Sequence, residues 1–252
     1  MAMLMYGLAG LFLPLFPLSM AFNVLFNRIR NAWLRAMLLL AWPQLGLSLV
    51  PVADPSVADW FVALALFTSA LYAFRAISLR EMGQWAGYLA TSAWALLWIV
   101  HVNHVDPRLV RLYALAFSLP LVLLVLIGAR LERYFGAAYS GLYGGLAQML
   151  PRLAGVLVCV VLAITAAPLF PGFFAMLATI TITTPTAPLA ALVVAGIWLL
   201  WSWAGVRLLQ GMIVGPASGE EVADLSLIST WAYVAVLIAL LVGSLYAMGD
   251  LL

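Results

Sequence analysis

The sequence predicts an all-α polytopic membrane protein with about nine transmembrane helices, eight to ten in all. Three observations predict it. Of its 252 residues, 67% are hydrophobic and 8% charged, against roughly 45–50% apolar content in soluble domains. From Leu153 to Val206 there is no Asp, Glu, Lys, Arg or His, and the chain has no lysine anywhere. A charge-free run of about 54 residues is enough for two crossings at roughly 20 apolar residues each. So few charges could not cover a soluble surface, so lipid must solvate much of it.

Each element is an apolar run bounded by polar residues. The first, 4–26, is too long for the core of a signal peptide and has no basic region before it, so it reads as a retained helix. Arg28, Arg30 and Arg35 follow it and lead into the second, 34–53. The third, 57–78, runs out at Arg75 and Arg80. The fourth, 84–104, ends on His101 and His104, and Pro107 and Arg108 precede the fifth, 109–129. Arg130, Glu132 and Arg133 fall in the loop that follows, and Arg152 stands at the start of the sixth, 150–168. The seventh and eighth, 171–186 and 188–209, are separated by Thr183-Thr184-Pro185-Thr186-Ala187-Pro188. Proline removes amide donors and disfavours helix in the residue before it. That predicts a broken helix near 171–188, with a tight turn between two short helices as the alternative. The ninth, 228–249, follows an acidic stretch of Glu220, Glu221 and Asp224.

Arginines gather in the odd-numbered loops, while the even-numbered ones carry Arg108, Arg111 and Arg207. The positive-inside rule then places the odd loops in the cytoplasm and the N-terminus outside. A net charge of +2 is too small an excess to suggest nucleic-acid binding. Cys159 stands alone in an apolar run, which leaves no disulfide within the chain and reads as a small buried hydrophobe. Trp33, Trp60, Trp85, Trp98 and Trp231, near predicted ends, fit interfacial belts. Trp198 and Trp201 share a helical face suited to packing on a neighbour.

The remaining polar residues each carry two readings. Arg75 lies within a turn of a segment end, where a long side chain snorkels to the interface, or it pairs with an acid of a partner. His101 and His104 are three apart and could share one face, as interfacial or proton-relay groups. Two histidines can start a zinc site, but no third ligand is evident nearby. Glu132, flanked by arginines, reads as a loop ion pair or a water-accessible port. The acidic stretch reads as a solvated loop or as a docking surface for a basic partner. No Ser-His-Asp set, carboxylate pair, metal cluster or glycine-rich phosphate loop occurs, so neither enzyme chemistry nor a cofactor is expected. A quinone site would leave no sequence signature.

Three pieces carry a family resemblance. Leu131-Glu132-Arg133 precedes Tyr143-Gly144-Gly145-Leu146-Ala147-Gln148-Met149-Leu150-Pro151; Pro168 leads to Gly172-Phe173-Phe174; Arg207-Leu208-Leu209-Gln210 leads to Gly215-Pro216 and Asp224-Leu225-Ser226. In that order and spacing, residues from about 130 to 227 resemble the C-terminal part of the antiporter-like membrane subunits. These occur in respiratory complex I, in Mrp-type cation/proton antiporters and in DAB inorganic-carbon uptake complexes. Residues 1–108 match nothing, so the chain divides into unmatched N-terminal helices (1–108) and antiporter-like C-terminal helices (109–252).

The departures from the family pattern shape the functional expectation. After Gly-Phe-Phe the family has a small residue and then Lys or Glu; here Ala175 and Met176 stand there. Many members carry His and Lys four apart in the helix before the glycine loop, near Ala116 and Pro120 here. Neither Met176 nor Pro120 can exchange a proton, and ion paths in membranes run through groups that can. The resemblance therefore implies a structural, transport-inactive subunit of an ion-gradient-coupled complex in a membrane, the bacterial inner membrane by analogy. Its implied partners are lipid, a full-length antiporter-like subunit and, in a DAB-like complex, a cytoplasmic zinc-dependent carbonic-anhydrase-like subunit. The alternative is an active H+ or Na+ translocating subunit using Arg75, His101, Glu132 or Arg207.

Overall fold

The computed structural model describes residues 2–50, 59–141, 144–215 and 222–248. Their helices, in chain order, are α1 (Ala2–Phe12), α2 (Ser19–Arg28), α3 (Ala32–Leu49), α4 (Asp59–Ala76), α5 (Met82–Val102), α6 (Pro107–Phe135), α7 (Leu146–Met149), α8 (Pro151–Ile164), α9 (Pro171–Thr183), α10 (Pro188–Ile213) and α11 (Leu227–Met248). Among the described residues, α5, α6, α10 and Leu227–Tyr246 are long and apolar enough to cross a membrane, and Trp60–Ala76, α8 and α9 are shorter apolar helices. This is a polytopic membrane fold, as predicted.

Two of the predicted spans are built differently. Segment 4–26 is interrupted: α1 stops at Phe12, α2 starts at Ser19, and Pro14 and Pro17 lie between them. The freed backbone groups find partners on neighbouring helices. Trp98 Nε1 donates to the Leu13 carbonyl (2.9 Å), and the Phe16 amide donates to Thr68 Oγ1 (3.0 Å).

The sixth and seventh segments, expected as separate spans, are parts of one interrupted crossing. α10 has 26 residues, roughly 39 Å at about 1.5 Å per residue. It runs antiparallel along both α8 and α9. Trp198 meets Phe173 of α9, ring centroids 5.4 Å apart, while Gly205, farther along α10, touches Val161 and Thr165 at the end of α8. α8 and α9 hold 14 and 13 residues, and at roughly 20 Å each they fall short of a hydrocarbon layer about 30 Å thick. The break lies at residues 165–170. Thr183 to Pro188 is instead the turn that returns the chain into α10, closed by the Ala187 amide on the Thr183 carbonyl (2.8 Å). The break thus lies just before the predicted range of 171–188, and the turn alternative describes the end of that range.

This change of count moves Arg207. The end of α4, the start of α5 and the loop after α6 are joined where the Met82 amide meets the Ala138 carbonyl (3.0 Å) and the Ser140 amide the Arg80 carbonyl (2.7 Å). The Gly141 amide ties the end of α10 to them through Gly211 O (2.7 Å), and Arg152 meets Asp224 there. That end of the bundle holds Arg28, Arg30, Arg35, Arg75, Arg80, Arg130, Arg133, Arg152 and Arg207, nine of the chain's eleven arginines. Arg108 and Arg111 lie at the opposite end, where Gln44 Nε2 donates to the Arg111 carbonyl (3.1 Å). Arg207 therefore belongs with the arginine-rich group, because counting α8 and α9 as separate spans had inverted its side.

α5 is the centre of the bundle, with α4, α6 and α2 packed around it. Its glycines, alanines and small hydroxyls let those helices approach closely. Trp85, Trp94 and Trp98 are fully buried, so Trp85 and Trp98 are core residues rather than belt residues. Trp33, Trp60 and Trp231 are exposed, as interfacial rings should be. Cys159, expected in the core, lies on the exposed face of α8. α6 runs to Phe135, so Arg130, Glu132 and Arg133 are its last turns and not a loop.

The acidic stretch is also corrected where it is described; Glu220 and Glu221 lie outside the described residues. Asp224 is a helix cap, not a free loop charge. Its carboxylate accepts from the Arg152 amide (2.8 Å), the Leu153 amide (3.2 Å) and the Leu225 amide (2.7 Å), and Arg152 Nη1 donates to the Leu225 carbonyl (3.1 Å). It thus satisfies the first amides of α8 from across the loop, next to the positive end of that helix. Asp224→Ala is expected to cost about 1–2 kcal/mol, read as a lower melting temperature in detergent, with Asp224→Asn losing much less.

Glu81, just before α5, titrates upward. Partial burial raises its carboxyl above the ordinary range, Glu132 adds to that, and Arg35 and a hydrogen bond from Gln84 oppose it. A raised carboxyl favours the folded state when protonated, so its contribution is present at low pH and lost as pH climbs through the folded value. Thermal stability is expected to fall across that window, and Glu81→Gln should flatten the slope.

Candidate functional site

The candidate site is the interruption in the α8–α9 crossing, Thr165-Ala166-Ala167-Pro168-Leu169-Phe170. Pro168 lacks an amide and forces Ala167 away from helix. Pro171 then restarts the helix at its first position, where a missing N–H costs nothing. Between them Ala166 (φ 55°) and Leu169 (φ 80°) adopt the left-handed region, a strain of order 1–3 kcal/mol per residue that the surroundings must hold.

An unwound backbone inside a bilayer needs its polar groups met by protein or water. Here neutral donors meet them. Trp198 Nε1 donates to both the Thr165 carbonyl (3.1 Å) and the Ala166 carbonyl (3.2 Å). Ser244 Oγ of α11 donates to the Leu169 carbonyl (2.6 Å), and the Ala167 amide reaches back to the Leu162 carbonyl (2.9 Å). Gly205 lets α10 come this close: a Cβ there would lie 2.5 Å from Thr165 Cγ2. The result is a clamped break with no titratable group in it.

Met176 and Ala175 point into the core from α9, both 0% exposed. Pro120 is buried inside α6, and Ala116 lies a turn before it. The other candidates named from the sequence are dispersed. Arg75 is exposed at the end of α4 with its guanidinium carbon 5.8 Å from the Tyr88 ring centroid. Arg207 is exposed on α10 and Glu132 on α6. His101 and His104 do come together, lining a cavity of about 360 Å3 with Arg111 at the arginine-poor end. His104 lies past the helix end with φ 59°, so the pair meets around a cavity rather than along one helix face. None of these charged or imidazole side chains reaches the break in α8–α9.

The interior polar residues were missed because none is titratable near neutral pH. Asn23 Nδ2 donates to the Ser19 carbonyl (3.1 Å) and to Thr91 Oγ1 (2.9 Å), and Ser19 Oγ lies 2.9 Å from the Tyr72 hydroxyl. Ser69 and Ser92 exchange bonds between α4 and α5, and Trp201 Nε1 donates to Ser92 Oγ (2.8 Å). These bonds lock α2, α4, α5 and α10 together. Adjacent small hydroxyls within apolar helices, Thr68-Ser69 on α4 and Thr91-Ser92 on α5, were the available signal. The two interruptions also share a device: an indole from the adjacent helix, Trp98 or Trp198, donates to the freed carbonyls.

No protein-family model matches the chain, and no curated protein matches it. Solved structures do. The chain is similar to a chain of respiratory complex I from Thermus thermophilus with bound NADH (TM-score 0.79, 19% identity, 95% of this chain and 53% of that one). It is also similar to a chain of the membrane-bound sulfane sulfur reductase, an archaeal respiratory membrane complex (TM-score 0.78, 16% identity, 96% and 52%). A third match is to a chain of the Mrp complex from Dietzia sp. DQ12-45-1b (TM-score 0.72, 15% identity, 86% and 42%). The matched share of this chain extends into residues 1–108, which no motif had placed. The chain shares the fold of these three chains and spans about half their length.

Proposed function

We propose that the chain is a structural, transport-inactive antiporter-like subunit of an ion-gradient-coupled membrane complex. The observation that carries this reading is the break at residues 165–170, whose free carbonyls are taken by Trp198 and Ser244. On this reading Met176 and Pro120 are the degenerate ion-path positions, since neither can hold a proton at the depth where a carrier needs one. The α1–α2 and α8–α9 pairs each count as one interrupted crossing, which gives eight among the described residues. The arginine-rich end then faces the cytoplasm, and the start of α1 and the end of α11 lie outside. Residues 1–108 supply the first crossings and 109–252 the antiporter-like remainder.

The partner is a full-length antiporter-like chain that conducts the ion. Two of the similar structures are respiratory complexes by name, which favours an assembly of that kind. A DAB-like inorganic-carbon complex with a cytoplasmic zinc-dependent, carbonic-anhydrase-like subunit is the more specific proposal, and it rests on analogy alone. Neighbouring genes test it: a zinc-protein gene alongside supports it, and quinone-reductase or Mrp genes replace it.

A second reading, active H+ or Na+ translocation, draws on the cavity lined by His101, His104 and Arg111. Flux measurements separate the two. The chain alone in sealed vesicles is expected to move neither H+ nor Na+ above the lipid background, by pH-sensitive dye and 22Na+ uptake. Flux that disappears in His101→Gln or Glu132→Gln would establish the second reading.

A further inference from the structure

We propose that the gap between α11, the C-terminal half of α6 and the start of α3 is a binding site for an anionic phospholipid. Arg30, Arg130 and Arg133 would hold its headgroup phosphate, and Leu123, Leu126 and Val236 would line an acyl chain. This does not depend on whether the chain moves ions.

The geometry has three parts. α11 packs on α8 and α9 and leaves beside α6 a cavity of about 600 Å3. An open space of that size between membrane helices cannot stay empty, because interiors are close-packed and lipid fills what protein does not. Second, the cavity is amphipathic along the membrane normal. Its rim stands at the arginine-rich end, where Arg130 and Arg133 leave the last turns of α6 and Arg30 the loop after α2. Its wall descends along Leu126 and Leu123 of α6 and Val236 of α11. Trp33 and Tyr233 stand between, and Tyr233 lies beside both Arg130 and Arg133. Aromatic rings with polar edges favour that level of a bilayer.

Third, the charges do not cancel. Among the described residues, Glu132 is the one acid lining this cavity, against three arginines. Behind it, Arg35 lines a smaller pocket shared with Arg30 and Glu132, and partly buried Glu81 sits near Arg35. The unbalanced positive rim calls for an anion, and guanidinium groups bind phosphate oxygens through paired N–H donors. The apolar wall calls for a hydrocarbon tail. A free phosphate answers only the first demand and a zwitterionic lipid carries its own compensating cation. An anionic phospholipid answers both.

The test uses the full chain in its native assembly, extracted in mild detergent, stripped of lipid and followed by native mass spectrometry. Phosphatidylglycerol is added against phosphatidylcholine of the same acyl chains, and inorganic phosphate is added as competitor. Phosphatidylglycerol should be retained about tenfold or more over phosphatidylcholine, with millimolar phosphate failing to displace it. The triple variant Arg30→Gln, Arg130→Gln, Arg133→Gln should abolish the preference. Val236→Trp, which fills the wall and keeps every charge, should weaken retention of phosphatidylglycerol. Both variants are scored only on protein whose melting temperature in phosphatidylcholine matches the parent; if the triple variant fails that check, Val236→Trp decides. Equal retention of the two lipids, displacement by phosphate, or undiminished binding in the scored variants would each overturn the site. So would a segment of a neighbouring protein chain seated in the cavity of the assembled complex.

Discussion

Met176→Lys is expected to be the most disruptive single substitution in the chain. Met176 is 0% exposed on α9, and from Leu153 to Val206 no acid is available to pair with a new cation. An ammonium group placed there costs about 3 kcal/mol on membrane-insertion scales and more where water cannot follow it. The variant is therefore expected to express poorly, and the protein recovered should melt well below the parent. A methionine-to-leucine control should cost less than about 1.5 kcal/mol. The pH dependence gives the mechanism. A buried lysine titrates below its usual range, so the unfolded chain binds more protons over that interval, and stability should rise with pH. Melting curves of the lysine variant at pH 7 and pH 9 would show this, with the leucine variant flat by comparison. A lysine variant as stable as the parent at pH 7 would mean that position 176 opens onto water, and the transport-inactive reading would then fail.

Trp198→Phe is expected to loosen the interrupted crossing itself. Phenylalanine keeps most of the ring packing against Phe173 but removes the one N–H that both the Thr165 and Ala166 carbonyls share. Two carbonyls inside the bilayer then lose a partner while Ala166 remains in a strained conformation. Stranded buried acceptors cost about 1–3 kcal/mol each in general, whereas interhelical bonds in membranes average nearer 0.6 kcal/mol. A total of about 2–3 kcal/mol lies between those limits. Hydrogen exchange should show it locally: amides at 165–173 lose protection before those of α5. Trp201→Phe, which removes a single bond to Ser92, should cost less and leave the break protected. Equal protection at 165–173 in parent and Trp198→Phe would mean that the indole does not hold the break.

How much of this was legible in the residues depends on which property carried the information. Apolar runs located every described helix except four-residue α7, because hydrophobicity is additive along a window. The prolines at 14, 17, 168, 171, 185 and 188 were equally visible. What each proline does was not. Pro185 and Pro188 accompany a chain reversal, while Pro168 and Pro171 accompany an interruption inside one crossing. Both are local disruptions of the same kind, and only the helix running alongside tells them apart. The correction to Arg207 follows from that, since each misjudged break inverts the side of everything after it. Asp224 likewise could not be seen as a cap, because the amides it satisfies are about 72 residues away along the chain.

By itself, the sequence determined that this chain lives in lipid, that it is helical, and that no ionisable group lies between Leu153 and Val206. Those are properties of composition and local pattern, and no arrangement of the helices could alter them. Tertiary structure alone decided that α8 and α9 form one crossing, that Arg207 joins the other eight arginines at one end, and that Trp198 and Ser244 close the break. The physical reason is that a backbone carbonyl freed by a proline must find a donor, and that donor arrives from another helix, at a sequence distance no local pattern encodes.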